Sequence, residues 1–356
     1  MTPLRRLGAL VVAASAVLGT AGCWDVHDVN DLTPVLSVGL DHTGGRWTMT
    51  VEDAVVGSGG TSAFQSVPHH GYGSALSTAI DDLRAHLARR LYVGSARVFV
   101  IGHGALEGDV RDIVRRLTES QEVDETAFLV ASDTTAAALL AHRDGVFGTT
   151  SVRLIKEFDS PEMAGHAHLE TRVWEAQRDL SQPGPGSFAA IPVFGLSGEA
   201  SALELGTALI GPDGRLATVL DRDQSATMAW IMSQPGREVL PLPDGNRVEP
   251  VSARASAQLV DARHLSLHVR LGAVAYYVRG PAVIRSALRA HLEHLAAQVV
   301  LERTLSLVRR LEAAGVDPAG WSLMAERQGL RPFDIRHLHV ALTVSVTLAP
   351  HFAKSL

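Results

Sequence analysis

Cysteine is all but missing from this chain: one residue of 356, Cys23, carries a thiol. An internal disulfide is therefore excluded, and so is any dithiol chemistry. Lysine is almost as scarce, with Lys156 and Lys354 alone among basic residues that are otherwise arginine. The 32 basic residues are outnumbered by 38 acidic ones, for a formal charge of -6. That balance disfavours nucleic acid and anionic lipid as partners. The usual catalytic signatures are lacking too. There is no Gly-x-Ser-x-Gly elbow, no His-Glu-x-x-His and no Gly-x-x-x-x-Gly-Lys. Gly57 to Gly60 is glycine-rich, but it follows a hairpin pattern and opens no helix, so it does not read as a phosphate cradle. No enzyme, no cofactor and no catalytic residue is expected.

Long apolar runs are limited to the N-terminus. Arg5 and Arg6 precede an apolar and small-residue run from Leu7 to Ala21, ending at Gly22-Cys23. These 15 residues (7 to 21 inclusive) fall short of the roughly 20 that a lasting transmembrane helix needs. The pattern is that of a cleaved secretory signal. Small residues directly before a cysteine suit the peptidase that processes lipoproteins, although Thr20 stands where leucine is usual. Residues 1–22 are thus expected to be a lipoprotein signal peptide, and Cys23 the lipidated residue. Asp25, Asp28 and Asp31 follow it, and without Arg5 and Arg6 the charge becomes -8 (30 basic minus 38 acidic). The acyl chains must then hold the protein to the outer face of the cytoplasmic membrane unaided, and more than one chain suffices for that.

The 333 residues after Cys23 (356 minus 23) exceed one comfortable core. The expected class is α+β in two domains, 23–197 and 198–356. Pro34–Leu40 and Trp47–Val55 read as a hairpin about the turn residues 41–45. Gly57–Gly73 has no period and reads as a mobile loop. Helices over about 74–91, 110–117, 134–142 and 169–180 alternate with strands at 97–101, 127–130 and 191–194, which indicates a mixed α/β layer. A second hairpin, 206–220, turns on Gly211-Pro212-Asp213-Gly214. Beyond it come a helix over about 223–232, long alternating strands at 251–260 and 265–278, a helix from Pro281 to Ala314, and a final strand at 338–348. The expected C-terminal half is antiparallel sheet packed on one long helix.

Three segments then carry a resemblance: Gly22-Cys23-Trp24-Asp25, Val29-Asn30-Asp31-Leu32, and Val35 to Asp41 with Gly39-Leu40-Asp41 at its end. Together they resemble the Ger(x)C family, the C subunits of nutrient receptors in bacterial spore germination. Arg90-Leu91-Tyr92, Val98 to Gly102, Phe128 to Ala131, Gly206 to Leu220 with Trp230, and Asp317, Gly320 and Arg327 extend it over the whole chain after Cys23. Gly94-Ser95-Ala96, Glu122 to Glu125 and Pro332-Phe333 depart from the family pattern. The resemblance implies a non-catalytic receptor subunit in the spore inner membrane, assembled with integral membrane A and B subunits. The alternative is a lipid-anchored solute-binding protein of a transporter, which needs a ligand cleft between two α/β lobes.

Histidine is plentiful, at 16 residues. His166 and His168, His337 and His339, and the adjacent His69-His70 are pairs that could chelate, since two positions apart on a strand share a face. The preferred reading is a solvated polar face with no metal.

Overall fold

A computed structural model of the chain describes residues 32–53, 68–159, 169–181, 188–197, 201–234, 238–277 and 286–352. The first hairpin is present as β1 (Leu32–Thr43) and β2 (Arg46–Asp53). Gly44 and Gly45, at φ 60° and 77°, supply the two left-handed positions of its turn. Next to β2 lies β3 (Pro68–Gly73), antiparallel to it. This corrects the loop drawn to Gly73, whose last 6 residues are strand. The physical reason is tertiary: α1 (Leu76–His86) crosses so closely that a Cβ at Gly71 would collide with Ala79 and Leu83. Glycine reads as a loop signal here but serves close packing.

The chain continues through β4 (Arg90–Tyr92), β5 (Val98–Ile101), α2 (His103–Leu106), α3 (Val110–Glu119), β6 (Phe128–Ser132), α4 (Ala136–Ala141), α5 (Thr150–Asp159), α6 (Val173–Ser181), β7 (Ala189–Ser197), β8 (Ser201–Ile210) and β9 (Leu216–Asp221). The first sheet has the order β3-β2-β1-β5-β6-β7-β8-β9, with β4 beside the start of β1. Its centre, β1-β5-β6-β7, is parallel, and an antiparallel pair closes each flank. Parallel strands buried on both faces need apolar residues at every position. β5 meets that demand along its whole length, and β6 does so up to its last residue, the buried Ser132. Phe99, Ile101 and Leu129 face α1, α3 and α6. Val98, Val100, Phe128 and Val130 face α4 and α5 on the other side.

The first sheet runs on past Gly198, where the sequence suggested a division, because β8 and β9 belong to it. The join to the second unit is α7 (Arg222–Ile231), capped by a reciprocal Asp221–Gln224 pair. Seven consecutive residues, Ser225 to Ile231, are buried, as expected of a helix enclosed on all sides. It packs on β8 and β9 and also on the second sheet. That sheet comprises β10 (Leu240–Pro241), β11 (Arg247–Leu259), β12 (His264–Tyr277) and, after α8 (Ser286–Ala314) and α9 (Trp321–Arg327), β13 (His339–Phe352). β10, β11 and β12 are antiparallel as expected, whereas β13 runs parallel to β12. The α+β class therefore holds, with a crossover in place of a last hairpin. The buried stripe of α8 is Leu292, Ala296, Val300, Thr304, Leu307, Val308 and Leu311. Small residues at 296 and 304 mark its centre, and the flanking Leu295, Leu301 and Leu305 are half-buried.

Candidate functional site at the head of the first strand

The described chain starts where β1 and β4 meet. Leu32, Thr33 and Pro34 pair in parallel with Arg90, Leu91 and Tyr92. A short 3-10 turn, Val93–Ser95, then brings the Ser95 hydroxyl under the strand. Its oxygen accepts the Val35 N–H at 2.9 Å and faces the carbonyls of Val35 and Tyr92 at 2.9 and 2.8 Å. Glu122, from the loop after α3, closes the rim. One of its oxygens lies 3.1 Å from Arg90 Nη2 and the other 3.3 Å from Arg84 Nη2. Asp124 beside it accepts the N–H and hydroxyl of Thr126, which hold its carboxyl below the usual range. The rim surrounds a depression of about 400 Å³ bounded by Leu32, Tyr92, Gly94, Gln121 and Asp124. The segments that depart from the family pattern at 94–96 and 122–125 are thus built into this rim.

A second cavity, of about 320 Å³, adjoins the first and shares Leu91, Glu122 and Val123 with it. It lies between α1, α3 and the inner face of β1, β2 and β5. Leu40, Met49, Phe99 and Leu117 form buried wall, and the half-buried Ile80 stands among them. Its polar lining residues are exposed or half-buried at the mouth: Arg84, Arg116, Glu119 and Glu122, with Ser77 and Ser120.

Cys23, the predicted lipidation residue, lies outside the described residues, as do His166 and His168. His69 sits 3.5 Å from Asp53, and His70 Nδ1 is 3.0 Å from Thr50 Oγ1, so this adjacent pair has separate partners. His337 closes a 3-10 turn, and His339 opens β13 and faces the ring of His264 at 5.2 Å. Among the described residues no group of three or more His, Cys, Asp or Glu could hold a metal. The nearest approach to a reactive cluster is Ser37, Glu52 and Ser151. Ser37 Oγ lies 3.0 Å from Glu52 Oε2 and 2.7 Å from Ser151 Oγ. All three are at most 1% exposed, so the cluster knits α5 to the sheet and offers no path to a substrate. Two aspartates marked by the resemblance are helix caps. Asp41 accepts the N–H groups of Ala136 and Ala137, and Asp317 accepts the N–H and hydroxyl of Ser322 at 2.5 and 2.6 Å.

Fold and site together define an α+β protein of two sheets joined through one enclosed helix, with paired cavities at the head of its first strand. Its N-terminal half belongs to a family of spore germination proteins. Residues 25–195 match the model of the spore germination protein N-terminal domain. A crystal structure of the GerBC protein resembles it with a TM-score of 0.56, covering 87% of this chain and 96% of that one at 14% identity, which is a likeness of fold. No curated protein matches the chain significantly. Among the described residues no helix is long and apolar enough to cross a membrane.

The cavities themselves carry no sequence signal. Arg84 and Arg90 reach Glu122 across 38 and 32 residues of chain, beyond any local periodicity.

Proposed function

We propose that this chain is the lipid-anchored C subunit of a spore nutrient germinant receptor. It is held at the spore inner membrane by acylated Cys23 and works by assembly with integral membrane A and B subunits. The observation that carries the reading is the match of residues 25–195 to a spore germination domain. The short leader supports it: Leu32, where β1 starts, is the ninth residue after Cys23 (32 minus 23). Nine extended residues reach about 30 Å at most, so the rim would stay close to the membrane surface. Confinement there raises the effective concentration of membrane partners, and modest interfaces then suffice. The solute-binding alternative gains no support, since four strands on a long helix do not make the second α/β lobe of a hinged cleft.

The test is Cys23→Ala in sporulating cells. The expected result is loss of palmitate labelling, release of the protein from spore membranes and impaired nutrient-triggered germination. Normal germination with the protein soluble would overturn the reading.

A further inference from the structure

The cavity behind Glu122 is a binding site in its own right, and we infer that its ligand is a medium-length aliphatic chain. Three features on the molecule select that class. First, the deep wall is hydrocarbon: Leu40, Met49, Ile80, Phe99 and Leu117 come from five separate elements, and every polar lining side chain stands at the mouth. A group entering it finds nothing to hydrogen-bond with, so a polar body would lose its solvation without replacement. Second, the volume suits a chain. An apolar cavity of about 150 Å³ accommodates benzene, so about 320 Å³ suits a chain of about a dozen carbons.

Third, the charges at the mouth are already matched. Arg84 meets Glu122 at 3.3 Å, Arg116 meets Asp112 at 2.7 Å and Glu119 meets Arg115 at 2.7 Å. A free amino acid would need two of these pairs opened to seat its ammonium and carboxylate. An amphiphile needs none, because its head remains in water beside Arg84 and Glu122. The mouth also lies beside the residues that pair with Leu32, through the shared Leu91 and Glu122. The same chemistry can thus come from a separate lipid or from the chain's own acyl group, the latter resting on the Cys23 reading proposed above.

The test uses the full-length chain with Cys23→Ser, which cannot be acylated, and dansyl-undecanoate as the fluorescent probe. Saturable probe uptake is expected, displaced by dodecanoate and unaffected by leucine. Ile80→Trp should fill the cavity and weaken probe binding by about tenfold or more, with the thermal unfolding transition retained. Should that variant not fold, Ile80→Ala serves instead: the enlarged cavity should shift the preference toward longer chains. Absence of uptake, uptake indifferent to a folded Ile80→Trp, equal displacement by leucine, or an unchanged chain-length preference in Ile80→Ala would each overturn the inference. Reduced probe uptake by the acylated wild-type chain identifies its own acyl group as the occupant, and equal uptake identifies a separate lipid. If Cys23 proves unacylated, the anchoring reading fails while the probe result stands.

Discussion

Asp41, near the C-terminal end of β1, holds the first turn of a helix 95 residues away: its Oδ1 accepts the Ala136 N–H at 2.7 Å. Oδ2 accepts the Ala137 N–H at 3.0 Å, and Thr135 takes the next one. Three of the four N–H groups that a helix leaves unmatched are thereby satisfied, the first of them fully buried. Asp41→Ala should cost about 2–3 kcal/mol, a lost cap plus a buried donor without a partner. A urea midpoint unchanged from wild type would contradict this role.

Gly102 is the other half of the same contact. A Cβ there would overlap Asp41 Oδ1 and crowd Ala136 N. Gly102→Ala should destabilise by about 1–3 kcal/mol. In an Asp41→Ala background most of that cost should vanish, and a double-mutant cycle by urea denaturation reads the coupling.

Glu157 is buried on α5, and loss of hydration raises its carboxyl pKa, against the pull of Arg153 and with the push of Glu204. A raised folded-state value means that the native state holds the proton more tightly than the unfolded chain. This residue's contribution should therefore fall as pH rises from the ordinary glutamate range, about 4.5, through the raised value. Glu157→Gln should flatten that part of the stability profile. Guanidinium melts across the acid range measure it, and an unaltered slope would remove Glu157 as the source.

Arg303 on α8 ties three segments together. Its guanidinium meets both Glu238 oxygens at 3.0 Å and Asp223 at 3.1 Å, with 16% of the side chain exposed. Removing it leaves Glu238, whose carboxyl pKa is already raised by burial, without its cation. Arg303→Met should cost about 3–5 kcal/mol, and pairing it with Glu238→Leu should restore much of the loss. Thermal unfolding of the two single variants and the double variant decides the matter.

Local chemistry made part of this fold legible. Gly44-Gly45 and Gly214 announce hairpins because left-handed backbone is required there, and all-apolar Val98–Ile101 announces a buried strand. α5 escaped the reading because Thr150, Ser151 and Glu157 occupy buried positions where a periodic apolar residue would be sought. β3 escaped because Pro68, Gly71 and Gly73 resemble a loop until α1 is laid across them. The parallel pairing of β13 has no local cause either, since the alternation of Val340 to Leu348 fits either direction. Of the site, Leu32 and Arg90 to Tyr92 stood out through resemblance, whereas the cavity depends on how α1 and α3 meet the sheet.

The crossover from β12 to β13 sets an order of events during synthesis. His264 pairs with His339, 75 positions later, so one edge of β12 has no neighbour until the ribosome has made residues 339–352. Nascent or truncated chains present that 14-residue strand as an open template for strand addition. Stop codons placed before residue 339 should therefore yield aggregates rather than a shorter soluble protein.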